Sequence, residues 1–312
     1  MKELLPLIGV IPAMNVPFTQ DDHIDLDGLQ RHTEYAVESG VAALLIPVVA
    51  SEVGTLSPKE REDIVAATVE AVAGRVPIIG GATAATQEQC LNYVKSLTQA
   101  GCQGVLANIP YENDAQYSAY VHAIDELHPG FLMIQDYNLN GAGVSPELLV
   151  RLFEEVPSYR CLKIETSMPG PKFTTMLEKT DGRLNISGGW SITQYIEGLD
   201  RGVHGMVPTG MHEVFCKLDS LYRSGHRSAA CKLYQRIQPV IAFSNQDPGI
   251  SLHFYKRMLW RMGLYATPNV RAKTIEFDRY FQRIADDMID LYLEVSQEVR
   301  AGVYEVRGSA GT

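Results

Sequence analysis

The chain has 312 residues, 46% of them hydrophobic and 21% charged, with 26 glycines and 16 prolines. That composition excludes disorder as the main state and leaves room for about two ordinary domains, or one large barrel with an appendage. A net charge of −10 with no block of five like charges excludes a nucleic-acid partner, whose phosphates demand clustered cations.

The start, MKELLPLIGVIPAM, imitates a secretory signal, but Glu3 spoils the basic end and prolines interrupt the apolar stretch, so it reads as a first strand. Eight short apolar runs then follow in order: GVIPAMNVPF, AALLIPV, PIIGGA, GVLANI, FLMIQD, CLKIE, NISGG and GMVPTG. Amphipathic stretches with helical period lie after them, at 25–39, 57–73, 86–100, 114–127, 145–156, 169–179, 193–201 and 211–224. Ser57-Pro58-Lys59-Glu60 combines an N-cap, a first-position proline and an acidic third position, and Ser145-Pro146-Glu147 repeats most of it. Glycines 40, 74, 101 and 202 close helices just before the next strand. Beyond residue 225, helical stretches at 226–244, 251–263 and 273–299 are separated by NQDPG and ATPNV, and the small polar RGSAGT reads as a frayed tail.

Eight strand-then-helix units predict a TIM (β/α)8 barrel over residues 1–225, with a three-helix appendage over 226–312. An open doubly wound sheet is the runner-up, weakened by the lack of a GxGxxG after the first strand. The longest apolar run, residues 41–50, is broken by Pro47 and spans half of the roughly 20 residues that cross a bilayer, so no membrane helix is expected. The five cysteines are odd in number and form no CxxC pair, which fits a reducing cytoplasm better than a disulfide framework or zinc ribbon. The histidines show no ligand spacing, so no metal is expected.

In such a barrel the chemistry lies at the C-terminal ends of the strands. That singles out Ser51 and Glu52, Tyr111 and Glu112, Asp136 and Tyr137, Lys163 and Glu165, and Ser187, Gly188, Gly189 and Trp190. Lys163 stands between Leu162 and Ile164, where a strand buried on both faces should be apolar. Desolvation favours its free amine, a nucleophile for ketones, although a structural lysine paired with Glu165 or Asp136 fits the same position. Asp136, one strand earlier, either moves protons or tunes Lys163. The loop through Ala50 and Ser51 offers backbone N–H groups and a hydroxyl to a carboxylate, or Ser51 merely caps a turn. The glycines of strands 7 and 8 offer a phosphate cradle, or only close backbone packing.

Taken together, GVIPAMNVPFTQDDHIDLDGL, SEVGTLSPKER, PIIGGATAAT, IPYENDAQY, CLKIE and LHFYKRML resemble the dihydrodipicolinate synthase and N-acetylneuraminate lyase family of Schiff-base aldolases and dehydratases, over nearly the whole chain. The resemblance implies that Lys163 is the Schiff-base lysine and that no other cofactor is needed. It departs where the synthases read GTTGE and this chain reads Val48-Val49-Ala50-Ser51-Glu52. Aligning Gly143 with the end of the family's YNxPxRTG motif puts its proton-relaying tyrosine on Asp136 and its substrate arginine on Gly141; Glu112 replaces the second tyrosine after strand 4. The tyrosine relay therefore reads as dismantled, with Asp136, helped by Tyr137 or Tyr111, handling the protons. Ala50, Ser51 and Glu52, Glu165, and Ser187 to Trp190 are the substrate-contact candidates. The QD and KIE endings resemble the branch that dehydrates 2-keto-3-deoxy sugar acids, such as 2-keto-3-deoxy-L-arabonate. A pyruvate-dependent aldolase, a dihydrodipicolinate synthase-like condensation, a phosphate-binding barrel and a non-catalytic barrel remain as alternatives. The expected partner is a small 2-oxo acid, and the resemblance implies a homotetramer, or dimer of dimers.

Overall fold

A computed structural model describes residues 2–305, and the RGSAGT tail lies outside them. Eight strands form one parallel sheet: β1 (Gly9–Val10), β2 (Leu44–Leu45), β3 (Ile78–Gly81), β4 (Gly104–Asn108), β5 (Leu132–Asn138), β6 (Tyr159–Thr166), β7 (Asn185–Gly188) and β8 (Gly205–Met206). Each pairs with its sequence neighbour from β2 to β8, and β1 pairs with β8. A parallel bridge between Ala13 and Leu45 closes the circle, reinforced by Ala42 N–H donating to Val10 O at 2.7 Å. The TIM barrel expected from the alternation is the fold found.

The strands alternate between two apolar layers, as a period of two requires. Ile11, Leu45, Ile79, Leu106, Met133, Cys161 and Val207 fill the lumen, while Leu44, Ile78, Val105, Ile134, Leu162 and Ile164 face the helices. Those helices are α1 (Leu26–Glu38), α2 (Pro58–Val72), α3 (Gln87–Gln99), α4 (Asp114–Asp125), α5 (Pro146–Glu155), α6 (Pro169–Lys179), α7 (Tyr195–Asp200) and α8 (His212–Arg223). At α2 the capping box forms as its sequence predicts: Ser57 Oγ accepts from Glu60 N–H at 3.2 Å, and Glu60 accepts from Ser57 N–H at 2.8 Å.

Three more helices follow: α9 (Arg227–Ser244), α10 (Pro248–Arg261) and α11 (Arg279–Arg300). Two boundaries differ from expectation. Within NQDPG, Asp247 accepts from Gly249 N–H at 2.7 Å and Pro248 takes the first helical position, so the supposed breaker starts α10 three residues early. Residues 273–278 are not helical, and α11 begins only after the N-cap Asp278. Ile237, Val240, Ile241, Tyr255 and Met258 join the same continuous core as the barrel helices. No described helix is long and apolar enough to cross a membrane.

Candidate active site

Lys163 is held by β6, whose pleat sends Cys161, Lys163 and Glu165 inward and Leu162 and Ile164 outward. Its ammonium lies 2.7 Å from Glu165 Oε2, and both side chains are less than a tenth exposed. Glu165 also accepts from Gln135 Nε2 at 2.6 Å and from Trp190 N–H at 2.7 Å. Burial alone would raise its carboxyl, but the Lys163 charge and these donors outweigh that and hold it below the ordinary range. The pair sits at the floor of a cavity of about 320 Å3, at the small end of ligand pockets.

Register decides which neighbours reach that cavity. On β5, Gln135 stands opposite Lys163 and Tyr137 opposite Glu165, so both face inward and line the cavity. Asp136 stands opposite Ile164 and faces the helices. There its carboxylate meets Lys172 Nζ of α6 at 2.5 Å and accepts from Val144 N–H at 2.9 Å. The expected proton-handling role is therefore corrected: Asp136 is walled off by the strand itself, one position away from the mouth. Tyr137, expected as its helper, does bring a phenol to the cavity; burial, and then the Glu165 charge, raise its pKa and keep it protonated. Tyr111 does not line the cavity; it is exposed and donates to Asp114 at 2.8 Å.

The loop after β2 forms a second wall through Val48, Val49 and Ala50. Asn15 Nδ2 holds Ala50 O at 2.8 Å. Ser51 turns away: its hydroxyl donates to Met14 O at 2.6 Å and accepts from Val48 N–H at 3.0 Å, so it shapes the loop and has no donor left for a ligand. Glu52 adopts a left-handed conformation at φ 57° and also turns away, pairing with the fully buried Lys256 of α10 and accepting from Ala272 N–H at 2.5 Å. Lys256 lies 3.8 Å over the Phe18 ring, and burial lowers its pKa to about 8.

At the third wall Gly189 and Trp190 line the cavity, while Ser187 and Gly188 do not. Ser187 faces inward beside Lys163, and its hydroxyl finds no hydrogen-bond partner among the described residues. A Cβ on Gly189 would lie 2.2 Å from Glu165 Oε1 and 2.5 Å from Lys163 Cε, so any other residue there would push the pair out of place.

The remaining wall comes from Asn245, Pro248, Ser251, Leu252 and Tyr255 at the corner between α9 and α10. Sequence reasoning missed these residues, along with Gln135, Thr83, Asn108 and Thr209. Gln135 was adjacent to a chosen residue, and its inward direction follows once the β5–β6 register is known. The α9–α10 residues carry no local signal beyond the turn that returns the chain to the barrel mouth. Lys163 and Glu165 are the only charged side chains among all these lining residues.

Comparison with known proteins agrees with this architecture. A model of the dihydrodipicolinate synthetase family matches residues 6–287. A 4-hydroxy-tetrahydrodipicolinate synthase of Rhizobium meliloti is 30% identical over 291 residues, covering 89% of this chain and 96% of the relative. One from Salinibacter ruber is 34% identical over 161 residues, so the chain spans only about half of that relative, 53%, with 50% of its own length. The wild-type sialic acid aldolase of Ruminococcus gnavus superposes with a TM-score of 0.85 over 95% of this chain and all of the other, and at 18% identity that likeness concerns the fold. By the extent of the family match and the full-length relative, the chain belongs to the dihydrodipicolinate synthetase family, a family of Schiff-base lyases and aldolases.

Proposed function

We propose that this protein is a lyase that binds a 2-oxo acid as an imine on Lys163 and dehydrates it, with a 2-keto-3-deoxy sugar acid as the substrate class. The observation that carries the reading is the buried Lys163–Glu165 pair at the floor of the cavity. An ammonium cannot attack a ketone, and the adjacent carboxylate, held ionised, is placed to take its proton. The free amine adds to C2, and the resulting carbinolamine loses its hydroxyl as water when Glu165 returns the proton. The protonated imine then acidifies C3. Glu165, ionised again, takes a C3 proton and gives the enamine, which expels the C4 hydroxyl; protonation by the Tyr137 phenol makes the leaving group water, and hydrolysis of the remaining imine frees Lys163. Asp136 drops out of this scheme, and Glu165 and Tyr137 take its place. The substrate carboxylate lies against the backbone of Val49 and Ala50, without help from the Ser51 hydroxyl.

The lack of any cation besides Lys163 among the lining residues favours dehydration over a condensation that must hold a second carboxylate. No added cofactor enters the scheme. Incubation with pyruvate followed by borohydride and mass measurement should give a single covalent adduct on Lys163 and none on Lys163→Ala. Absence of an adduct across a panel of 2-oxo acids overturns the reading. With a 2-keto-3-deoxypentonate, a 2-oxo semialdehyde without pyruvate supports dehydration, whereas released pyruvate marks an aldolase.

A further inference from the structure

We infer that Asn245 and Ser251, contributed from outside the barrel, read the hydroxylated far end of the substrate and set its specificity. The inference rests on the proposed function and names the residues that recognise the uncharged, hydroxyl-bearing tail of that substrate class.

Three observations lead there. First, Lys163 and Glu165 pair with each other, so the cavity has no cation left for a second anionic group. A phosphate or second carboxylate would be desolvated without a partner. Second, the polar groups not yet spent are neutral. Ser251 lines the cavity, and its hydroxyl makes no side-chain hydrogen bond among the described residues. Asn245 spends Nδ2 only on a 3.5 Å contact to Trp190 O, leaving its carbonyl oxygen free. An amide and a hydroxyl each donate and accept, as recognition of a sugar-acid hydroxyl requires. Third, this wall is held rigidly. Tyr255, one turn beyond Ser251, meets Ser244 at 3.2 Å, and the next residue, Lys256, is tied to Glu52. With C2 on Lys163 and the carboxylate toward the Val49–Ala50 loop, the α9–α10 corner offers the tail a polar wall made from outside the barrel, in addition to Thr83, Asn108 and Thr209 at the strand ends.

A short acid such as pyruvate leaves these groups unpaired, the condition under which a hydrogen-bonding site discriminates most strongly. The test uses 2-hydroxy acids, which cannot form an imine: 3-deoxypentonate as the long probe and lactate as the short one. Calorimetric titration of the wild-type protein should show tighter binding of 3-deoxypentonate than of lactate. Ser251→Ala and Asn245→Ala should each weaken the long probe about fivefold to tenfold, as expected for one lost hydrogen bond, and leave lactate unchanged. Borohydride trapping of pyruvate should also be unchanged in both variants. Equal weakening of both probes, unchanged affinity for the long one, or no wild-type preference overturns the inference. Because the probes are unreactive, a wild-type protein that fails to trap pyruvate refutes the Schiff-base reading alone, and the ratio of affinities still judges the tail.

Discussion

Among single residues, Gly189 leaves the least freedom. A methyl group there would overlap Glu165 and Lys163 at once, and Trp190, the next residue, donates its N–H to the same carboxylate. Gly189→Ala should therefore displace the pair rather than unfold the barrel, lowering kcat about 100-fold, the effect of a misplacement near 1 Å, with little change in Tm. A variant with wild-type kcat would show that the pair tolerates displacement. Lys163 was legible because a charged residue in a strand buried on both faces has to be explained, and Glu165 followed two positions on, sharing its face. The partner strand was not legible in the same way. FLMIQD is buried on both sides, so nothing in its apolar pattern distinguishes the lumen face from the helix face. The choice between Asp136 and its neighbours depends on register, and register is set by pairing across β5 and β6.

At the scale of elements, helix starts with local chemistry were readable. The capping box at Ser57 and the Ser145 cap, which accepts from Leu148 N–H at 3.3 Å, need no tertiary contact to be recognised. The same chemistry at Asp247-Pro248 was read as a breaker, although an aspartate followed by proline also opens a helix. That choice matters because α10 supplies both a cavity wall and Lys256. The Lys256–Glu52 pair joins this helix to the loop that lines the opposite wall, and both side chains are completely buried. Removing one partner strands a buried charge, whereas removing both leaves neutral groups. Lys256→Met should cost about 3–5 kcal/mol in urea unfolding, and Glu52→Gln with Lys256→Met should recover a good part of it. A Lys256→Met protein within 1 kcal/mol of wild type would mean that Glu52 does not depend on Lys256, and the tie between loop and helix would be lost as an explanation.

Across the whole molecule, the seam between the first and last barrel helices is closed by a buried polar chain. Tyr265, following α10, donates to Asn15 O at 2.9 Å, so its oxygen accepts from His32 Nδ1 at 2.8 Å. His32 Nε2 must then accept from His212 Nε2 of α8 at 2.9 Å, which leaves His212 Nδ1 as an acceptor without a partner among the described residues. Both rings are fully buried and stacked at 5.1 Å. Burial lowers His32 to about 3, and burial followed by the nearness of His32 lowers His212 well below the usual range. Unfolded, each takes a proton below roughly pH 6.5. Folded, neither does until far lower pH, so the unfolded state gains protons first and stability falls as pH drops from 6.5. Glu165 and the other carboxylates held low act in the same direction only below their ordinary range, about pH 4.5, so above it histidine carries the loss, opposed by Asp219, whose carboxyl burial raises. Moving from pH 7 to pH 5 should cost about 2 kcal/mol for one such histidine and up to twice that for both. His204 and His253, also lowered by burial, add to the same slope, so the pair must be isolated by substitution. His212→Gln keeps a donor for His32 but cannot titrate, and urea unfolding at the two pH values should show its loss smaller than wild type by about 2 kcal/mol. An unchanged difference would mean that His212 titrates alike in both states, and that the seam is not what makes the folded barrel sensitive to acid.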